Sequence, residues 1–216
     1  MPSMPLSPEE FYAHALAHAD GEGRLAVPDV ASWDVWPFEA EGLQVVPLRP
    51  PSVPDRPRGG EGGRACWSCD PKEPAVWSDE RWRLQLQGEG GAPLVVMLTP
   101  HAHHDLIDLP DELAAELGLL EVRIARAVEA LPHIGRCHVL RIGDGGSHLH
   151  VFFYARPEGF AQLLGSVFAV WDDILPPVPA DVRAADAAAV AAALVASHGG
   201  TASAEARQRA QPDSGS

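Results

Sequence analysis

Apolar residues recur at spacings of three and four through Leu113, Leu117, Leu120, Ile124, Val128 and Leu131, which places them on one stripe of a helix. The pattern predicts a helix over 110–131, with Pro110, Asp111 and Glu112 in its first turn and Pro132 ending it. On either side the period shortens. APLVVMLTP at 92–100 is a continuous apolar run, the pattern of a strand buried on both faces. AVWSD and RWRLQLQ before it predict a hairpin, with alternation in WRLQLQ. GRCHVLRIGD predicts a further strand, GDGG a turn, and SHLHVFFYARP the strand after it. In that last segment His148, His150, Phe152 and Tyr154 share one face, open to a cleft. Leu149, Val151 and Phe153 point the other way, into a core against the 110–131 helix.

The flanks read differently. SPEEFYAHALAHA predicts a short helix over 7–19, with Ser7 as its N-cap and Pro8, Glu9 and Glu10 in its first turn. Residues 26–50 hold short apolar runs broken by prolines, which predict edge strands or packed extended segments; Trp33, Trp36 and Phe38 are expected to pack on the core. Residues 50–65 are rich in Pro, Gly and Arg and read as a linker or mobile loop. Residues 159–174 read as helical or irregular. An Ala-rich helix follows over 181–200, ended by Gly199 and Gly200, and 201–216 read as a disordered tail. The expected organisation is an N-terminal extension and linker (1–63), a central domain (64–180), the C-terminal helix and the tail.

Composition narrows the function classes. The chain has 216 residues, 46% of them apolar, enough to bury a core. Its formal net charge of -14 argues against a nucleic-acid binder working through a broad basic face. Lys72 is the single lysine; that Arg bias, with abundant Ala, Gly and Pro, fits a GC-rich bacterial genome. No apolar run is long enough to span a bilayer, and the first residues lack a signal core, so the expected compartment is the cytoplasm. In a reducing cytosol Cys66 and Cys69 read as metal ligands or a redox pair rather than a structural disulfide. Cys137, in an apolar stretch, reads as a small core residue.

Two groups of residues carry candidate chemistry. Cys66-Trp-Ser-Cys69 is a knuckle whose spacing lets both thiolates reach one tetrahedral ion. A histidine of the turn HAHH (His101, His103 or His104) and His148 would complete a closed Cys2His2 structural zinc set. The second group is GDGG with His150. Glycines there let backbone N–H groups converge on a phosphate, and a neutral imidazole beside them is equipped to attack phosphorus. GDGG also suits an ordinary hairpin turn. A third arrangement is an open metal held by His103 or His104 with His148 and His150, the knuckle being incidental.

Taken together, CWSC at 66–69, PHAHHDL at 100–106 and GDGGSHLHVF at 143–152 resemble the histidine triad superfamily, which includes nucleotide-cleaving hydrolases and galactose-1-phosphate uridylyltransferase. The resemblance covers roughly 64–158. It implies an α+β fold, a mainly antiparallel sheet carrying one long helix, with homodimers common. It implies structural zinc on Cys66, Cys69, His103 and His148, and His150 as the nucleophile that takes up a nucleotidyl group. It assigns phosphate contacts to Gly143, Asp144, Gly145 and Gly146, with Arg156 just beyond the strand as a further anion contact. The ligand would be a nucleotide or nucleotide sugar. This chain departs from the pattern at Phe152, where family members carry His or Gln, either of which donates a hydrogen bond to the reacting phosphate. Losing one such donor costs about 10²–10³ in rate. Tyr154 shares the face but lies about 6–7 Å further along the strand. Gly145 replaces a serine that assists the leaving group in several hydrolases. The expectation is therefore a nucleotide-binding hydrolase or nucleotidyltransferase, or a degenerate member that binds without turnover.

Overall fold

The computed structural model describes residues 7–28, 36–39, 41–51 and 54–210. It divides into two compact units, Met1–Arg56 and Pro57–Ser216. In the first, helix α1 spans Pro8–Leu16. Ser7 and Glu10 cap it reciprocally: Glu10 N donates to Ser7 Oγ at 3.2 Å and Ser7 N to Glu10 Oε2 at 2.7 Å. The helix stops three residues earlier than its pattern predicted. The described residues within 26–50 form no strand. Val46 is 74% exposed and Leu48 43% exposed, each beside a proline that interrupts any ladder. Trp36 meets Phe38 edge-on, whereas Trp33 lies outside the described residues.

The second unit is α+β. Its sheet comprises β1 (Trp77–Ser78), β2 (Trp82–Leu86), β3 (Leu94–Pro100), β4 (Ile134–Leu140), β5 (Val151–Pro157) and β6 (Thr201–Ala202). They lie in the order β4-β5-β3-β2-β1-β6, antiparallel throughout. Every residue of β3 is buried, as its unbroken apolar run requires. Helix α2 (Asp111–Glu129) lays Leu113, Leu117, Leu120, Ile124 and Val128 on one face of this sheet, against Val96, Leu98, Val151 and Phe153. Helix α4 (Ala180–His198) adds Ala187, Ala191 and Leu194 to the same core. Helix α3 (Gly165–Ile174) lies on the other face, where Phe168 and Leu163 pack with Val95, Phe152 and Tyr154. The alternation along β5 therefore holds, with Val151 and Phe153 toward α2 and Phe152 and Tyr154 toward α3.

Two stretches expected to lack structure are built in. Residues 57–65 belong to the second unit, where Gly59 bridges Gly146 in parallel. After α4, Gly199 and Gly200 take φ of +93° and +77° and turn the chain back so that Thr201 and Ala202 pair with Ser78 and Trp77. Helix α5 (Ala204–Ala210) follows with Ala206 buried; residues 211–216 lie outside the described set. A Cβ at Gly200 would stand 2.8 Å from Ser78 O and 2.9 Å from the Trp77 indole, so only glycine makes this return. Composition sees the polar tail and misses the sheet edge it completes. Among the described residues no helix is long and apolar enough to cross a membrane.

Ile124 is fully buried beneath the sheet, whereas Ile107 is 91% exposed. Ile124→Ala should cost about 2–5 kcal/mol in urea denaturation, and Ile107→Ala no more than about 0.5 kcal/mol.

Candidate metal centre and histidine face

The knuckle forms a tight turn in which Cys69 N and Asp70 N both donate to the Cys66 carbonyl, at 3.2 and 3.3 Å. This brings both thiols to one side. Ligand atoms of Cys66, Cys69, His103 and His148 all lie within 4.8 Å of one another. His148 Nδ1 stands 3.4 Å from Cys66 Sγ and 3.5 Å from Cys69 Sγ, and His103 Nδ1 stands 3.2 Å from Cys69 Sγ. A tetrahedral zinc ion places S and N ligands about 3.6 Å apart, given its usual bond lengths. The donor set therefore fits the ion.

Backbone and hydroxyl partners fix which nitrogen each ring presents. The Nε2–H of His148 donates to the Pro100 carbonyl at 2.9 Å, so Nδ1 carries the lone pair facing the thiols. Burial pushes the His148 pKa down, which favours the neutral ligand form. Ser147 Oγ donates to the Gly59 carbonyl at 3.1 Å and lies 3.2 Å from His103 Nε2. With its proton spent on Gly59, the hydroxyl accepts from His103, which again leaves Nδ1 as the ligand atom. Gly60, at φ +91°, passes so close that a Cβ would stand 2.6 Å from His103 Cε1. Burial also pushes the Cys69 thiol up, with Cys66 adding to the effect. Arg83, buried on the same sheet face, donates to the Ser68 carbonyl and to Thr99 Oγ1.

The rival histidines point elsewhere. His101 Nε2 lies 3.1 Å from both Ser78 Oγ and the Asp79 carbonyl. His104 contributes its carbonyl, which takes Leu149 N at 2.6 Å, and its ring is outside the donor cluster. His150 is outside it too, so the open-metal arrangement is not the one this geometry assembles.

His148, Leu149 and His150 precede the ladder of β5 rather than forming part of it. His150 Nδ1–H donates to the His148 carbonyl at 2.8 Å, leaving the Nε2 lone pair free. Its ring meets Trp67 and Phe152 edge-on, each with centroids 5.5 Å apart. The ring is only 5% exposed, less open than the alternation implied. Next to it is a cleft of about 470 Å³, lined by Trp67, Asp70, Lys72, Gln85, Leu86 and Met97 among others. Trp67 both lines this cleft and meets the His150 ring.

The glycine turn is held from outside. Arg58 Nη1 donates to the Gly143 carbonyl at 2.9 Å, and Gly59 N to the Gly145 carbonyl at 3.0 Å. Buried Asp105 pairs with Arg58 at 2.7 Å and Arg141 at 2.5 Å. Burial pushes the Asp105 pKa up, but the Leu106 amide and Arg58 outweigh it and hold the carboxyl below its ordinary range. A Cβ at Gly146 would stand 3.1 Å from Trp67 Nε1, which places this end of the turn beside the His150 wall. Arg156 is not brought here. Its Nη1 donates to the Phe160 carbonyl, and it lies six positions beyond His150 along an extended segment, about 20 Å. Expected just beyond the strand, it lies within β5 instead. Trp67, Ser147, Arg58 and Asp105 were missed as site residues, though each adjoins or lies within a motif already singled out, except Arg58 in the supposed linker.

No protein-family model matches the chain, and no curated protein matches it. Solved structures resemble it at low identity. A zinc-bound histidine triad family protein from Mycobacterium smegmatis is 22% identical, with a TM-score of 0.44 over 59% of this chain and 89% of that one. A hypothetical histidine triad nucleotide-binding protein from Sulfolobus tokodaii is 15% identical, with a TM-score of 0.48 over 62% and 97%. A uridylyltransferase is 21% identical, with a TM-score of 0.43 over 61% of this chain and 46% of its own.

Cys69→Ser should abolish zinc binding measured by atomic emission. Zinc should stabilise the parent chain by about 3 kcal/mol when free ion is about a hundredfold above Kd, and leave the variant unmoved. Half-buried Cys137, its thiol pushed up to about 12 by burial, should alkylate about 10³-fold more slowly at pH 8 than an ordinary thiol. Peptide mapping after iodoacetamide measures that rate.

Proposed function

We propose that the chain is a histidine-triad-like nucleotide hydrolase or nucleotidyltransferase, with His150 as nucleophile and zinc in a structural role. The observation that carries this reading is the pair of backbone hydrogen bonds that set the two rings. His148 turns Nδ1 to the thiols, and His150 commits Nδ1 to a carbonyl and keeps its lone pair on Nε2. Zinc, when bound by Cys66, Cys69, His103 and His148, ties the strand entry to the knuckle and takes no part in bond making.

His150 Nε2 attacks the α-phosphorus of a nucleotide conjugate, and the His148 carbonyl steadies the charge that then develops on the ring. Among the described residues no backbone carbonyl takes the amides of Gly143, Asp144, Gly145 or Gly146, which suits them to phosphate oxygens. The carbonyls of Gly143 and Gly145, which would repel an anion, are tied back by Arg58 and Gly59. The nucleoside occupies the 470 Å³ cleft against Trp67. Water or an acceptor phosphate resolves the intermediate. Phe152 and the 5% exposure of His150 favour a second reading, a nucleotide-binding member without turnover.

Incubation with a radiolabelled nucleotide conjugate, followed by acid-labile adduct detection, separates the two. The adduct should form on the parent chain and vanish in His150→Ala, while nucleotide binding by calorimetry persists. Binding without adduct or turnover would leave the second reading.

A further inference from the structure

Cys66 and Cys69 are joined by their own turn, in which Cys69 N donates to the Cys66 carbonyl at 3.2 Å. Both thiols are free. Cys69 is exposed, so a small solute reaches it, and Cys66 is half-buried behind it. The third thiol, Cys137, lies on edge strand β4 and packs against the core instead. Between the pair stands Trp67, whose ring meets His150 with centroids 5.5 Å apart. Its Nε1 lies 3.1 Å from where a Cβ on Gly146 would stand. Cys66 and Trp67 both line the cleft. Zinc and a disulfide ask different things of this turn. Tetrahedral zinc, at Zn–S bonds of about 2.3 Å, holds two sulfurs about 3.8 Å apart. A disulfide holds them about 2.05 Å apart. Exchanging one for the other closes the sulfurs by about 1.7 Å, and the residues carried between them must follow. Disulfide sulfurs carry no thiolate charge, so only the imidazoles of His103 and His148 would still face the ion.

We propose that the knuckle is a redox switch: a peroxide converts Cys66 and Cys69 to a disulfide, zinc leaves, and Trp67 shifts against His150 at the side of the cleft. This rests on the reading of Cys66, Cys69, His103 and His148 as a zinc site. In the first step the exposed Cys69 thiolate attacks one peroxide oxygen. The S–O bond forms, the O–O bond breaks, and hydroxide leaves with the electron pair, giving a sulfenic acid at Cys69. In the second step the Cys66 thiolate attacks Cys69 Sγ. The S–S bond forms, the S–O bond breaks, and a second hydroxide leaves. Both hydroxides take protons from solvent. The two sulfurs lose two electrons and the peroxide gains them, while zinc departs as the divalent ion. A dithiol reductant returns both thiols by exchange, and the metal rebinds. The turn, the exposure of one thiol and the tryptophan between them are what couple this chemistry to the cleft.

In the test the full chain is loaded with zinc, its bound metal is counted by atomic emission, and hydrogen peroxide is added in excess. A chromogenic chelator follows zinc release, thiol titration counts free cysteines, and peptide mapping locates any link. Zinc should be released with about two thiols lost per ion and a Cys66–Cys69 bond formed. Tryptophan emission should shift, and the shift should be absent in Trp67→Phe. Dithiothreitol and fresh zinc should restore thiols, metal and emission together. Cys137→Ala should respond as the parent chain does. The oxidised emission spectrum should also differ from that of the reduced chain stripped by chelator, because metal loss alone leaves the sulfurs unlinked. Zinc retained with both thiols intact overturns the inference and leaves the metal site standing. Sulfinic or sulfonic acids at Cys66 and Cys69, or a link to Cys137, overturn it equally. So does a Cys66–Cys69 bond whose emission matches the stripped chain. A chain that binds no zinc overturns the metal reading, and this inference with it.

Discussion

Two carbonyl groups decide what this molecule can do. Pro100 takes the Nε2 proton of His148, and His148 takes the Nδ1 proton of His150. A carbonyl can only accept, so each bond dictates a tautomer, and the rings present opposite nitrogens for opposite tasks. One faces a pair of thiols; the other keeps its lone pair on Nε2. Both bonds depend on the end of β3 and the entry to β5 being held side by side. The buried apolar core beneath supplies that rigidity, with Val151 and Phe153 of β5 locked against α2.

The same constraint reaches outward through short links. Ser147 joins the glycine turn to His103, and Gly59 joins both to the segment before the knuckle. Asp105 gathers Arg58 and Arg141 around Gly143. The candidate metal ligands and the glycine turn are thus parts of one hydrogen-bonded assembly. Its charges are largely neutralised internally, which leaves the amides of the turn as the donors an anion would meet.

Much of this was legible from spacing alone. Leu113 through Val128 fixed the long helix, and the period of two from Leu149 to Tyr154 fixed which side chains face which layer. The cysteine knuckle was visible as two thiols three residues apart, a spacing that suits one metal ion or a redox pair. Spacing did not separate His103 from His101 and His104; the resemblance chose it, and the coordinates gather it with the thiols. Residues 57–65 and 201–210 were misread for a common reason: Gly, Pro and small polar residues signal freedom in isolation. Here the glycines permit close approach, Gly60 to His103 and Gly200 to Trp77.

Lys72, the chain's one lysine, is exposed on the rim of the cleft beside Trp67. In a molecule of net charge -14 every other side-chain cation is a guanidinium or a protonated imidazole. Acylation or Schiff-base chemistry directed at side-chain amines therefore has a single address on this protein, at the mouth of the cavity. Acetylating that amine would remove a positive charge from the cleft's mouth and make it less attractive to any anion.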